Sequence, residues 1–167
     1  SAERARVATE GWGARLLALQ AEDGQWEGGA FFPAEKFDRR DGQPWTATEP
    51  TLTLLRVFGV DPTKVRIEQI KDSCRWEHAG QRFFDGEVEP CINGRTVALG
   101  AYFGQDVGGI VARLIGEQLE DGGWNCEAQN GSVRSSFDTT INVLEGLLEH
   151  EHATGGSPES RAARRRG

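Results

Sequence analysis

The chain of 167 residues and 18.3 kDa is long enough to bury a core, while its apolar runs fall short of the roughly 18 residues that a membrane-spanning helix requires. The formal charge is −7. Four Arg and one Glu give residues 157–167 a net +3, so the rest is an acidic body, which argues against nucleic acid as the main partner because phosphate binding needs a basic face.

The first twenty residues hold Glu3, Arg4, Arg6, Glu10 and Arg15 and no secretory apolar stretch. Three Cys without a C-x-x-C pair predict reduced thiols in a cytoplasmic compartment. Met is absent, which points to a piece cut from a longer chain.

In chain order, residues 11–26 read GWGARLLALQAEDGQW, a helical pattern running into a Gly/Asp/aromatic loop. Residues 36–49, KFDRRDGQPWTATE, form an acidic, basic and aromatic segment. With Asp38, Asp41 and Glu49 it is expected to be an exposed insert or the rim of a cavity. A second helix follows, with Leu52, Leu55 and Phe58 on one face and Thr46 or Thr48 near its start.

Residues 62–78 give another helical pattern through Ile67, Ile70 and Cys74, opened by Asp61 as cap and Pro62 in the first turn. A loop with Phe83, Phe84, Asp85 and Gly86 leads to an apolar stretch from Val97 to Phe103, with Thr96 near the expected helix start. Residues 109–124 read GIVARLIGEQLEDGGW. Beyond them Ile141, Leu144 and Leu148 share a helical face, with Val143 and Leu147 beside it, and Asp138 or Thr139 is the expected cap. Ser157-Pro158-Glu159 opens one more helix.

Residues 11–26 and 109–124 align at a constant offset. Gly11, Ala14, Arg15, Leu16, Gln20, Glu22, Asp23, Gly24 and Trp26 meet Gly109, Ala112, Arg113, Leu114, Gln118, Glu120, Asp121, Gly122 and Trp124. Such self-similarity predicts a structural repeat. No segment of useful length alternates with period two, so the fold expected is all-α, as helical hairpins spanning about 5–60, 61–105 and 106–156, with 157–167 beginning a further helix that is cut short. Within each loop the Gln can bond to backbone at the helix end, the Gly permits positive φ, and the Trp can fold over the preceding helix with its indole N–H bonded. Gln20, Gly24, Trp26, Gln118, Gly122 and Trp124 are therefore structural residues.

The Q-x3-G-x-W elements Gln20–Trp26 and Gln118–Trp124 resemble the QW motif of squalene–hopene and oxidosqualene cyclases, and more broadly the prenyltransferase and squalene-cyclase repeat superfamily. The resemblance implies an α/α toroid, of which three hairpins would be a partial arc, and an isoprenoid or similar apolar small molecule as ligand. Trp45, Phe84, Tyr102 and Phe137 are the candidate ligand-contacting aromatics. It also implies closure of the arc by further repeats, by a second copy or by a partner subunit.

Cyclases of this kind that start by protonation carry a D-x-D-D-T-A element whose middle Asp is the acid. The nearest segment here is residues 135–140, where Asp138-Thr139 matches the final D-T but Phe137 stands at the acid position. Asp138 is then a helix cap or a catalytic relic, and protonation-driven cyclisation is not expected. No D-D-x-x-D for a magnesium-bound diphosphate occurs.

Protein prenyltransferases, which look related, hold zinc with Asp, Cys and His; Asp85, Cys91 and Cys126, with His78, are the candidates here, otherwise structural thiols. Residues 85–95, DGEVEPCINGR, gather Asp85, Glu87, Glu89, Cys91, Asn93 and Arg95 into a solvated acidic loop or a polar rim, with Asp85 and Glu87 as catalytic candidates. Two other functions compete: a polysaccharide-degrading α/α toroid enzyme using Trp platforms and acidic residues, and a non-catalytic binding scaffold.

Overall fold

The computed structural model describes residues 2–34 and 44–167. Asp38 and Asp41 of the expected rim lie outside them. Among the described residues the fold is all-α, with two isolated bridges and no strand. No helix there is long and apolar enough to cross a membrane. The chain divides into two compact units, Ser1–Phe83 and Phe84–Gly167.

The first unit holds α1 (Ala2–Arg6), α2 (Gly11–Ala18), α3 (Thr48–Phe58) and α4 (Ile67–Ser73). Helix α3 buries Thr48, Glu49, Thr51, Leu52 and Leu55, so Glu49 belongs to an inward helix face and not to an exposed insert. Thr48 is the first helical residue; Ala47 holds the cap position.

The pattern over 62–78 breaks into two elements. Asp61 caps a short 3₁₀ turn, Pro62–Lys64, by accepting from Thr63 N–H. Val65 is then extended, and α4 starts only at Ile67. Trp76 stacks on Phe83 at 4.8 Å and donates its indole N–H to the Phe83 carbonyl. The Glu77 carboxylate accepts from Phe31 N–H and Phe32 N–H, tying the segment after Trp26 to that after α4.

The second unit holds α5 (Pro90–Phe103), α6 (Gly108–Gly116), α7 (Phe137–Thr154) and α8 (Pro158–Arg166). Helix α5 begins well before the apolar stretch from Val97, because Pro90 supplies the first-turn residue and Glu89 the cap position. Thr96 is thus mid-helix, bonded to the Ile92 carbonyl, and does not cap. Residues Thr96 to Gly100 are all buried, so the middle of α5 is covered on every side.

Against α5 packs α7, backbone to backbone. A Cβ on Gly94 would lie 2.5 Å from the Asn142 carbonyl oxygen, and one on Gly146 would meet the Gly94 carbonyl. The buried face of α7 is accordingly Thr139, Val143, Gly146 and Leu147. Ile141 is exposed, so the expected Ile141–Leu148 face is the flank, not the core. Ser136 caps α7 by accepting from Thr139 N–H. Asp138, the second residue of the helix, is exposed and does not cap.

The helix expected from Ser157-Pro158 forms, with a reciprocal capping box between Ser157 and Ser160. It packs on both α7 and α6. Ala163 is buried, Ala162 is exposed, and Arg164 reaches Glu151 of α7 at 2.9 Å.

Candidate functional site

The two Gln–Trp loops are built with the same bonds. Trp26 is 3% and Trp124 0% exposed. The Trp26 indole N–H donates to the Leu16 carbonyl at 2.7 Å, and that of Trp124 to the Leu114 carbonyl at 2.7 Å. The backbone N–H of Trp26 donates to Thr48 Oγ1, and that of Trp124 to Thr140 Oγ1.

Gln20 Nε2 donates to the Gly24 carbonyl, and Gln118 Nε2 to the Gly122 carbonyl. Gly24 at φ +86° and Gly122 at φ +98° occupy the left-handed region that the turn requires. Each Gln also reaches onward. Gln20 Oε1 accepts from Arg66 N–H at the entry to α4, and Gln118 Nε2 donates to the Ala163 carbonyl of α8. The loop therefore fastens a helix end, a turn and the next helix but one in one device.

The repeat diverges at its arginines. Arg15 is exposed and lies over the Trp12 ring. Arg113 instead donates Nη1 to the Glu87 carbonyl, Nη2 to the Val88 carbonyl and Nε to Glu117. The segment it holds is the entry to α5. There Asn93 accepts from Glu87 N–H through Oδ1 and donates to the Glu87 carbonyl through Nδ2, both at 2.7 Å. The buried Glu87 carboxylate accepts from Glu89 N–H. Glu87 thus shapes the backbone of this entry, while Asp85 is exposed at the end of the short turn Phe83–Asp85.

This scaffold brings Cys91 and Cys126 together. Their sulfurs are 3.0 Å apart, Cys91 Sγ is 3.5 Å from Glu89 Oε2, and Cys126 Sγ is 3.5 Å from Thr139 Oγ1. One ligand atom from each of Glu89, Cys91 and Cys126 lies within 4.8 Å of the others, and all three residues are half-buried. The carboxylate in this group is Glu89, not Asp85.

Two of the three stand at helix starts, Glu89 at the cap position of α5 and Cys91 in its first turn. Cys126 opens the turn Cys126–Asn130, which Asn125 caps by accepting from Glu127 N–H. Cys126 also lines a pocket of about 210 Å³ with Val88, Pro90, Arg113, Glu117 and Asn125.

The S–H···S contact between the two thiols, set against partial burial, brings Cys126 down to about 7 and raises Cys91. The pair gives up its first proton early and holds its second. Burial pushes the third cysteine, Cys74, up to about 12. In reduced, metal-free protein Cys126 should therefore be alkylated first as pH rises through about 7, ahead of Cys91 and Cys74, since the thiolate is the nucleophile. Peptide mapping after iodoacetamide pulses at several pH values reads the order; Cys74 reacting first would contradict it.

The aromatic candidates separate. Phe84 is buried and Tyr102 half-buried against Phe103. Trp45, in the first unit, is 53% exposed and leans on Phe31. In the second unit Phe137, at 83%, is exposed together with Val133 and Ile141. Glu89 and Asn93 belong to the segment expected as a polar rim, not to the expected metal ligands, and Arg113 and Thr139 are expected only as a repeat residue and a helix cap. The available signal was Glu89-Pro90-Cys91, a carboxylate two residues before a thiol at a Pro-started helix. Comparison with protein-family models, curated proteins and solved structures returns no match.

Proposed function

We propose that the chain is a Gln–Trp helical-repeat segment of the squalene-cyclase and prenyltransferase kind, part of an α/α toroid that handles an isoprenoid or similar apolar ligand. The observation that carries this is the pair of loops in which Gln, Gly and Trp make the same bonds, with Trp26 and Trp124 each tied to a helix carbonyl ten residues back. A second observation favours an apolar ligand. Val133, Phe137 and Ile141 expose apolar side chains around the start of α7, and clustered apolar exposure marks a binding surface. Phe137 stands where a protonating cyclase of this kind would carry its acid, so binding and positioning, not proton donation, is the role assigned to this segment.

Native mass spectrometry and tryptophan fluorescence with farnesol, squalene and a soluble oligosaccharide test this. The isoprenoid should bind, and Phe137→Ala with Ile141→Ala should weaken it about tenfold, equivalent to ~1.4 kcal/mol. The melting temperature should stay unchanged because both side chains are exposed. Binding of the oligosaccharide alone would transfer the protein to the polysaccharide-acting class. Binding of neither would leave a scaffold function.

A further inference from the structure

We infer that Glu89, Cys91 and Cys126 form a site for a thiophilic divalent cation, Zn²⁺ in the cell, with the fourth coordination position opening into the pocket lined by Arg113, Glu117 and Asn125. The donor set is two sulfurs and one carboxylate oxygen, the ligand types that zinc takes in four-coordinate sites. With zinc–sulfur bonds of about 2.3 Å and zinc–oxygen bonds of about 2.1 Å, a tetrahedron has S···S and S···O edges of about 3.8 and 3.6 Å. The 3.5 Å separation of Cys91 Sγ from Glu89 Oε2 is close to that value, and the 3.0 Å between sulfurs needs a parting of about 0.8 Å.

The surrounding bonds fix the ligands in place. Arg113 and Asn93 hold the Glu87–Val88 backbone, the Glu87 carboxylate holds Glu89 N–H, and Thr139 Oγ1 touches Cys126 Sγ. These are outer-shell supports of the kind that orient metal ligands. Cys126 is both a ligand and a pocket wall. A cation there would face a cavity of about 210 Å³ that Arg113 also lines. Water or an anionic oxygen would complete the tetrahedron, as in metal sites that keep one position open.

The site stands on the geometry of the second unit and does not depend on an apolar ligand. Its test therefore uses metal uptake alone. Reduced full chain, freed of metal by a chelator, is titrated with Co²⁺ and then with Zn²⁺ in competition. One Co²⁺ per chain should bind, with a thiolate-to-cobalt charge-transfer band and intense tetrahedral d–d bands, and Zn²⁺ should bleach both.

Cys91→Ser and Cys126→Ser should each lose the charge-transfer intensity due to that sulfur. Glu89→Gln should keep that band and weaken affinity. Thr139→Val should weaken it by about tenfold, as outer-shell changes do. Cys74→Ser should change nothing. Far-UV circular dichroism of every variant shows that the helices remain. An absent charge-transfer band in the folded wild type, a band unaltered by Cys126→Ser, or a Cys91–Cys126 disulfide that takes up no metal after reduction would each overturn the site.

Discussion

Replacing Trp124 with alanine should lower stability by about 3–5 kcal/mol, the range for removing a large buried aromatic side chain. The ring is fully buried and its N–H is bonded to Leu114, so alanine leaves both a cavity and an unpaired carbonyl. Phenylalanine at the same position keeps most of the buried area and loses the hydrogen bond, at about 1 kcal/mol. Trp26→Ala should act alike within the first unit through the cavity it leaves, although the Leu16 carbonyl keeps the Leu19 N–H as a donor. Urea denaturation followed by circular dichroism provides the measurement. Midpoints unmoved by either alanine would remove the fastening role of the loops.

The second large effect belongs to the glycine crossing. Gly146→Ala should destabilise the second unit by about 1–3 kcal/mol, as overpacking does. Alanine in a helix ordinarily gains about 1 kcal/mol over glycine, so the sign is informative. The added methyl meets the Gly94 carbonyl, and a backbone atom can retreat only if its whole helix moves. Gly109→Ala, in α6 with nothing within 4 Å of the new Cβ, is the matched control and should stabilise. If both changes stabilise, α5 and α7 are not held at backbone distance.

The repeat was legible in the sequence because its bonds are local. Gln20 to Gly24 and Trp26 to Leu16 span four and ten residues, so the residues that make them recur at fixed spacing. The all-α class followed from the same regularity. Helix starts were less legible. Thr48 and Thr140, read as capping candidates or left aside, accept instead from the Trp26 and Trp124 backbone N–H groups, and that demand competes with capping.

The inward face of α7 was misread because the sequence weighs Ile141 and Leu148 above glycine, whereas a close crossing selects Gly146. The resemblance groups Cys91 and Cys126 as zinc candidates, but their spacing alone does not bring them together. Cys91 and Cys126 are 35 residues apart, and their meeting depends on α5, the Cys126–Asn130 turn and the Arg113 clamp folding together. Glu89 stands in the expected polar rim, but nothing in the spacing ranks it above Asp85, which the fold leaves exposed, as the carboxylate beside the thiols.

One difference between the copies bears on how such repeats change over evolutionary time. Trp26 and its threonine partner are 22 residues apart, whereas Trp124 and its partner are 16. The same pair of anchors therefore tolerates six residues more or less, and chain-closure entropy charges only about 0.3 kcal/mol for that difference. Insertions between the anchors are nearly neutral to folding, whereas substitutions at the anchors are not. Selection can then rewrite the intervening segment, adding residues that suit a new ligand, without disturbing the helices on either side. The repeat separates a slowly changing frame from a segment that can vary in length and content, and the two copies in one chain record two settings of that segment.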